Sequence, residues 1–163
     1  MENQLKEIIK KLNAISLFHF HYSKRISSQI GLYRGQFPVL DYISQNPGCQ
    51  QIDIAKELQV SPASIANSLK RLEKSGYIVR DVDINNHRAN TISISEKGER
   101  SIQKGKHMFD KLDNMEFKNF NAEELNEFKE YINRILYNLC GEKDFNFRRL
   151  LEFVNCNYEE DDL

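Results

Sequence analysis

The stretch SPASIANSLKRLEKSG, residues 61–76, runs straight into YIVRDV, residues 77–82, and after a polar connection into NTISIS, residues 90–95; how it is read decides the fold. Ser61 followed by Pro62 is a helix N-cap ahead of a proline whose missing N–H is harmless at the first helical position. Ile65, Leu69 and Leu72 recur at steps of three and four, and Gly76 stands where a left-handed C-terminal residue belongs. Beyond it the apolar period shortens to two. Ile92 and Ile94 alternate with Thr91 and Ser93, so two strands form a hairpin whose connection runs from Asp83 to Asn90.

Working upstream, QQIDIAKEL places Ile54, Ala55 and Leu58 on one helical face, and LQVSP leaves room only for a tight turn into the 62–75 helix. Two short helices, a tight turn and a hairpin make a winged helix-turn-helix, in which the second helix enters the DNA major groove and the first braces it. Ile65, Leu69 and Leu72 then face the core. Pro62, Ala63, Ser64, Asn67, Ser68 and Arg71 are left on the outer side. These are small or hydrogen-bonding residues suited to base edges: Asn67 to an adenine, Arg71 to a guanine or a phosphate, with Lys70 and Lys74 suited to phosphate. Between Ser61 and Arg80 stand Lys70, Arg71, Lys74 and Arg80 against Glu73 as the one acidic residue, a local basic patch in a chain that otherwise balances.

Further out, residues 2–30 lack Gly and Pro and carry Leu5, Ile8, Leu12, Ile15, Tyr22, Ile26 and Ile30 at helical spacing, closed by Gly31. GQFPVLDYISQ forms a short helix with Phe37, Leu40 and Ile43 on one face, whose start Pro38 is expected to push later. Ser95 caps a long helix bearing Ile102, Phe109, Leu112 and Met115 and running to about Asn119; Gly98 and Gly105 weaken it, so packing must compensate. Asn121 and Glu124 resemble a capping box for a helix that carries Leu125, Phe128, Ile132, Ile135, Leu136 and Leu139 and ends at Gly141. Phe147, Leu150, Leu151 and Val154 suggest a short terminal helix before the acidic YEEDDL. The expected fold class is mainly α with a small β-hairpin. Long apolar stripes at both ends require cover, from the domain itself or from a second copy of the chain.

The bulk properties narrow the function. With 163 residues, a formal net charge of −1 and a pI near 6.4, the chain has no polybasic coat, so nucleic-acid contact must come from a local patch. Cys49, Cys140 and Cys156 are odd in number and lack CxxC spacing, which reads as reduced thiols. No charged-then-apolar leader and no apolar run of about 18 residues occur, so a cytoplasmic protein with no membrane partner is expected. There is no Gly-rich phosphate loop, no G-x-S-x-G and no His-Asp or Cys-His pairing of useful spacing, so no enzyme and no cofactor are expected. His19 and His21 face different sides of a helix, and no metal site is expected.

Residues 31–98 resemble the MarR family of transcriptional regulators. The family's pattern of Gly-Leu, Gln-Phe-x-Val-Leu and Pro-Gly falls on Gly31, Leu32, Gln36, Phe37, Val39, Leu40, Pro47 and Gly48. Its wing signature, Asp-x-Arg followed by Leu-Thr, falls on Asn86, Arg88, Ile94 and Ser95. The resemblance implies a homodimeric repressor of a roughly palindromic operator in double-stranded DNA, released by a small-molecule effector, a metal or an oxidant. It implies a dimerisation helix over 1–30, a DNA-binding lobe over 31–98, further dimerisation helices over 99–156 and an acidic tail over 157–163. The wing residues His87 and Arg88 would reach the minor groove, although Asn86 in place of the aspartate removes a carboxylate partner for Arg88.

For sensing, the resemblance points to a seat between the lobe and the dimer helices, where His21, Tyr22, Tyr33 and Phe37 are candidate lining residues. Cys49, just before a helix, is the candidate redox residue. The alternative from another class is a winged-helix protein-interaction module. Such a surface would carry aromatic or branched apolar residues, whereas the outer face of 62–75 is Ala, Ser, Asn, Ser and Arg.

Overall fold

In the computed structural model, which describes residues 2–33, 35–82 and 90–141, six helices and a hairpin follow the expected order. They are α1 (Glu2–Gln29), α2 (Gln36–Gln45), α3 (Gln51–Leu58), α4 (Pro62–Lys74), β1 (Ile78–Val82), β2 (Asn90–Ile94), α5 (Glu96–Glu116) and α6 (Ala122–Cys140). The expected terminal helix around Phe147 lies outside the described residues.

Local chemistry sets the helix ends. Ser61 Oγ accepts from the Ser64 N–H at 3.2 Å, which starts α4. At α5, Ser95 Oγ accepts from the Gly98 N–H at 3.0 Å and donates to the Gly76 carbonyl at 2.6 Å, so one hydroxyl caps a helix and ties it to the end of α4. Asn121 and Glu124 form the reciprocal pair at 2.9 Å in both directions, and Gly141 closes α6 at φ 73°. At α3 the Asp53 carboxylate accepts from the Gln50 N–H at 3.0 Å, so a position without Ser or Thr still has a satisfied donor.

Pro38 does not delay α2. The helix begins at Gln36, which places Pro38 in the first turn, where backbone N–H groups have no intrahelical acceptor and a proline loses no hydrogen bond.

The core of the lobe is a set of side chains with essentially no exposure, contributed by every surrounding element: Leu40 and Ile43 from α2, Ile54 from α3, Ile65, Leu69 and Leu72 from α4, Ile78 and Ile92 from the strands. Ile26 and Ile102 bring the end of α1 and the start of α5 onto it. The hairpin is antiparallel with Ile78 opposite Ile94 and Arg80 opposite Ile92. The outer edge of β2 is covered as well. Ile92 N–H donates to the Cys49 carbonyl and Gly48 N–H to the Ile92 carbonyl, each at 3.0 Å, so the segment before α3 adds a rung to the wing.

Gly98 and Gly105 have a steric role. A Cβ at Gly98 would run into the Tyr77 carbonyl oxygen, and one at Gly105 into the Phe37 ring. Helix propensity is given up there for close approach of α5 to the lobe. Tyr77, buried, donates its hydroxyl to the Ile30 and Gly31 carbonyls at 3.1 Å each, which pins the C-terminal end of α1 to the junction between α4 and β1. His19 and Glu116 pair where α1 passes the end of α5, and Lys106 reaches Asp41 at 2.7 Å between α5 and α2.

Most of α1 and all of α6 remain outside this core. Within α1 only Ile26 and Ser27 are buried, and residues 122–139 of α6 include no buried residue.

Candidate nucleic-acid interface

Burial of Ile65, Leu69 and Leu72 turns the opposite side of α4 outward. Pro62, Ala63, Ser64, Asn67, Lys70 and Arg71 are exposed and Ser68 is half-buried. Two contacts fix the start of this face: the Gln51 amide donates to the Pro62 carbonyl at 3.3 Å, and the Ser61 hydroxyl donates to Ser64 Oγ at 2.9 Å. Both contacts lie at the first turn, and the N-terminal half of the outward face is uncharged.

Charge collects at the other end. Glu73 is taken by Arg80, whose Nε lies 3.2 Å from its carboxylate, so this pair cancels and Arg80 leaves the basic patch. Lys70, Arg71 and Lys74 remain as the cations of α4, with no ion-pair partner among the described residues. Lys97 donates to the Ser75 carbonyl at 2.7 Å and lies 4.3 Å from the Tyr77 ring centre, so its charge is spent on the C-terminal end of α4. No spacing in the sequence signals that contact, because 22 residues separate the partners.

Beside α4 runs a groove of about 650 Å³ between the start of α2, the end of α3 and α4 itself. Its floor is apolar, with Val39, Leu58 and Ile65, and its rim carries Tyr33, Asn67 and Arg71. The Arg71 guanidinium sits 5.8 Å from the centre of the Tyr33 ring, a cation–π distance.

The four candidate effector residues divide among three places. Phe37 is half-buried against Phe109, ring centres 5.0 Å apart, and Tyr22 also packs on the core, stacked 5.8 Å from Phe18. His21 is exposed on α1 beside Phe20. Tyr33, 65% exposed, belongs instead to the groove at α4. Cys49 is half-buried, and burial first, then the Asp53 carboxylate, push its thiol up from the ordinary value. That is the opposite of what a redox sensor needs, since the thiolate is the reactive form. The wing residues His87 and Arg88, with Asp83 and Asn86, lie outside the described residues. Among the described residues no cluster of His, Cys, Asp and Glu is placed to hold a metal, and no helix is long and apolar enough to cross a membrane.

A model of the MarR family matches residues 30–89, from the residue after α1 to the residue before β2. The HTH-type transcriptional regulator BilQ of Clostridioides difficile is 31% identical over 114 residues, covering 70% of this chain and 75% of that protein. The chain belongs to the MarR family. An HTH-type transcriptional repressor of Mycobacterium bovis is 22% identical over 108 residues, 66% of this chain and 78% of its own. The crystal structure of the Staphylococcus aureus MepR–DNA complex superposes with a TM-score of 0.62 at 25% identity, over 78% of this chain and 93% of that one. This chain is accordingly a MarR-family, DNA-binding transcriptional regulator of winged helix-turn-helix fold.

Proposed function

We propose that this regulator is a homodimeric repressor that reads a roughly palindromic operator with the outer face of α4, one helix from each copy in successive major grooves. The observation that carries the reading is the division of α4 into a buried apolar side and an exposed side of small, amide and basic residues, with its one acidic residue neutralised by Arg80. Supporting it, the S. aureus protein of the same fold was crystallised with DNA, and the M. bovis relative is named a repressor.

The dimer rests on the apolar stripes left uncovered on α1 and α6. Leu5, Ile8, Leu12 and Ile15 on α1, and Phe128, Ile135 and Leu139 on α6, are each more than a third exposed, too much contiguous apolar surface for a helix pair facing water. The division of labour is a lobe of residues 31–98 that contacts DNA, with 1–30 and 99–156 as dimerisation segments. His87 and Arg88 would serve as minor-groove contacts. Release by a small effector is part of the same reading, with Tyr22 and Phe37, which both pack on the core, as its candidate contacts. Cys49 is the weakest of the sensing residues in this reading, because burial and the Asp53 carboxylate raise its thiol.

Two measurements test this. Light scattering at micromolar concentration is expected to give twice the chain mass; a monomer mass sinks the dimer. In a gel-shift titration at fixed salt, the Lys70→Ala and Arg71→Ala variants are expected to lose affinity on the order of 1 to 3 kcal/mol each with the fold intact. Unchanged binding in both variants removes α4 from the interface.

A further inference from the structure

Resting on the proposed role of α4 in reading DNA, we infer that the base pairs beneath this helix are read as A·T pairs by Asn67 and Ala63, and that Tyr33 holds Arg71 on the DNA backbone rather than on a guanine. Tyr33 is then a positioning residue of the DNA interface, although sequence reasoning places it with the effector residues.

The first support is the inventory of the half of α4 that enters the groove. In a helix-turn-helix the N-terminal residues of the second helix meet the base edges. Here the outward residues of that half are Pro62, Ala63, Ser64, Asn67 and half-buried Ser68, none of them a cation. Guanine is read most often by Arg or Lys bridging its O6 and N7, so this half lacks the usual guanine reader. Its one side chain able to make a bidentate contact is the Asn67 amide, whose complement is adenine N6 and N7. Ala63, four residues earlier on the same ridge, presents a methyl group fitted to a thymine methyl. The Ser64 oxygen already accepts from Ser61, which ties that hydroxyl to the cap.

The second support is the position of Arg71. It lies nine residues after Pro62, about 14 Å along the axis at 1.5 Å per residue, past the part of the helix that meets bases. There its guanidinium is held 5.8 Å from the Tyr33 ring centre, on the wall of the groove formed by the chain entering α2. A guanidinium held over a ring face by cation–π attraction keeps its N–H edges free for phosphate, and the attraction lowers the freedom lost on binding. Glu57 lines the α3 side of the same groove, so a phosphate is received at the Arg71 rim and not on the groove floor.

The test starts by selecting bound sequences from a random duplex pool with the full chain. A·T pairs are expected at the centre of each half-site. Replacing the contacted adenine by 7-deazaadenine should weaken wild-type binding on the order of tenfold, and the Asn67→Ala variant should no longer respond. Tyr33→Leu should weaken operator and random DNA by the same factor and flatten the salt dependence, with Tyr33→Phe restoring both because the ring remains. Enrichment of a guanine whose 7-deaza replacement weakens wild type but not Arg71→Ala would overturn the inference while leaving α4 as the reading helix. A pool that yields no enriched sequence would overturn the reading of α4 itself, and the inference with it.

Discussion

The winged lobe and the long terminal helices obey the same periodicity rules and end in opposite states. In the lobe, apolar positions of α2, α3, α4 and the hairpin close on one another until Leu40, Ile54, Leu69 and Leu72 have no exposure left. In α1 and α6 the stripes are just as regular, yet Leu5 stays 57% and Leu139 65% exposed. The difference lies in chain geometry. Short connections fold the lobe's helices back on each other, whereas a 28-residue helix extends about 42 Å and outruns a lobe of this size. The lobe satisfies itself; the long helices leave their apolar stripes uncovered within one chain.

The contrast can be broken first at its most buried point. Leu69→Ala should cost about 2 to 5 kcal/mol, read as a lowered urea midpoint, because a fully enclosed cavity replaces the side chain. If the lobe is self-sufficient, the loss should be the same at low and high protein concentration. The partner prediction is Ile135→Glu. Each copy forfeits burial of about 1.5 kcal/mol or more, so the dimer should weaken on the order of a hundredfold, measured by sedimentation. A variant that stays fully dimeric would show that the α6 stripe is covered in some other way.

Gly98→Ala sharpens the boundary between the two regions, since α5 touches both. The added methyl meets backbone, which cannot swing aside, and a destabilisation of about 1 to 3 kcal/mol in thermal unfolding is expected. A neutral result would mean that α5 shifts easily over the lobe. Asn121→Ala should cost about 1 kcal/mol through loss of the cap on α6, visible as reduced helical signal.

The smallest effect concerns pH. The Cys49 thiol is raised by burial and by Asp53, so the folded state holds its proton where the unfolded chain has begun to release it. The associated stability is complete below the ordinary thiol value and declines as pH rises through it toward the higher folded value. Alkylation of Cys49 in the folded protein should accordingly have its midpoint above that of a free thiol. A midpoint at or below the free-thiol value would restore Cys49 as a redox candidate.

Much of the lobe was legible because its signals are local. Ser61 before Pro62, Ser95, Asn121 with Glu124, and the glycines 31, 76 and 141 each fix a helix end through partners within a few residues. Pro38 shows where such local signals stop, since α2 begins at Gln36, ahead of it. A proline in the first turn and one that blocks a helix look alike until the position of Gly35, in the left-handed conformation ahead of α2, is known. The candidate site was legible in its residue types and not in its arrangement. Asn67, Lys70 and Arg71 could be placed on the outer face from spacing, but the pairing of Arg80 with Glu73 and the cation–π approach of Arg71 to Tyr33 join different elements.

By itself the sequence determined the order and type of the elements, the bounded α4 and its outward residues, and two stripes too apolar for water, because each depends on periodicity and on caps that act within one turn. Tertiary structure alone decided that Arg80 lies on Glu73, that Tyr33 stands beside Arg71, that burial and Asp53 raise the Cys49 thiol, and that Gly98 and Gly105 meet the lobe where a Cβ would clash. Those outcomes depend on which surfaces meet after the chain has doubled back over tens of residues, and no local pattern encodes the distance between them.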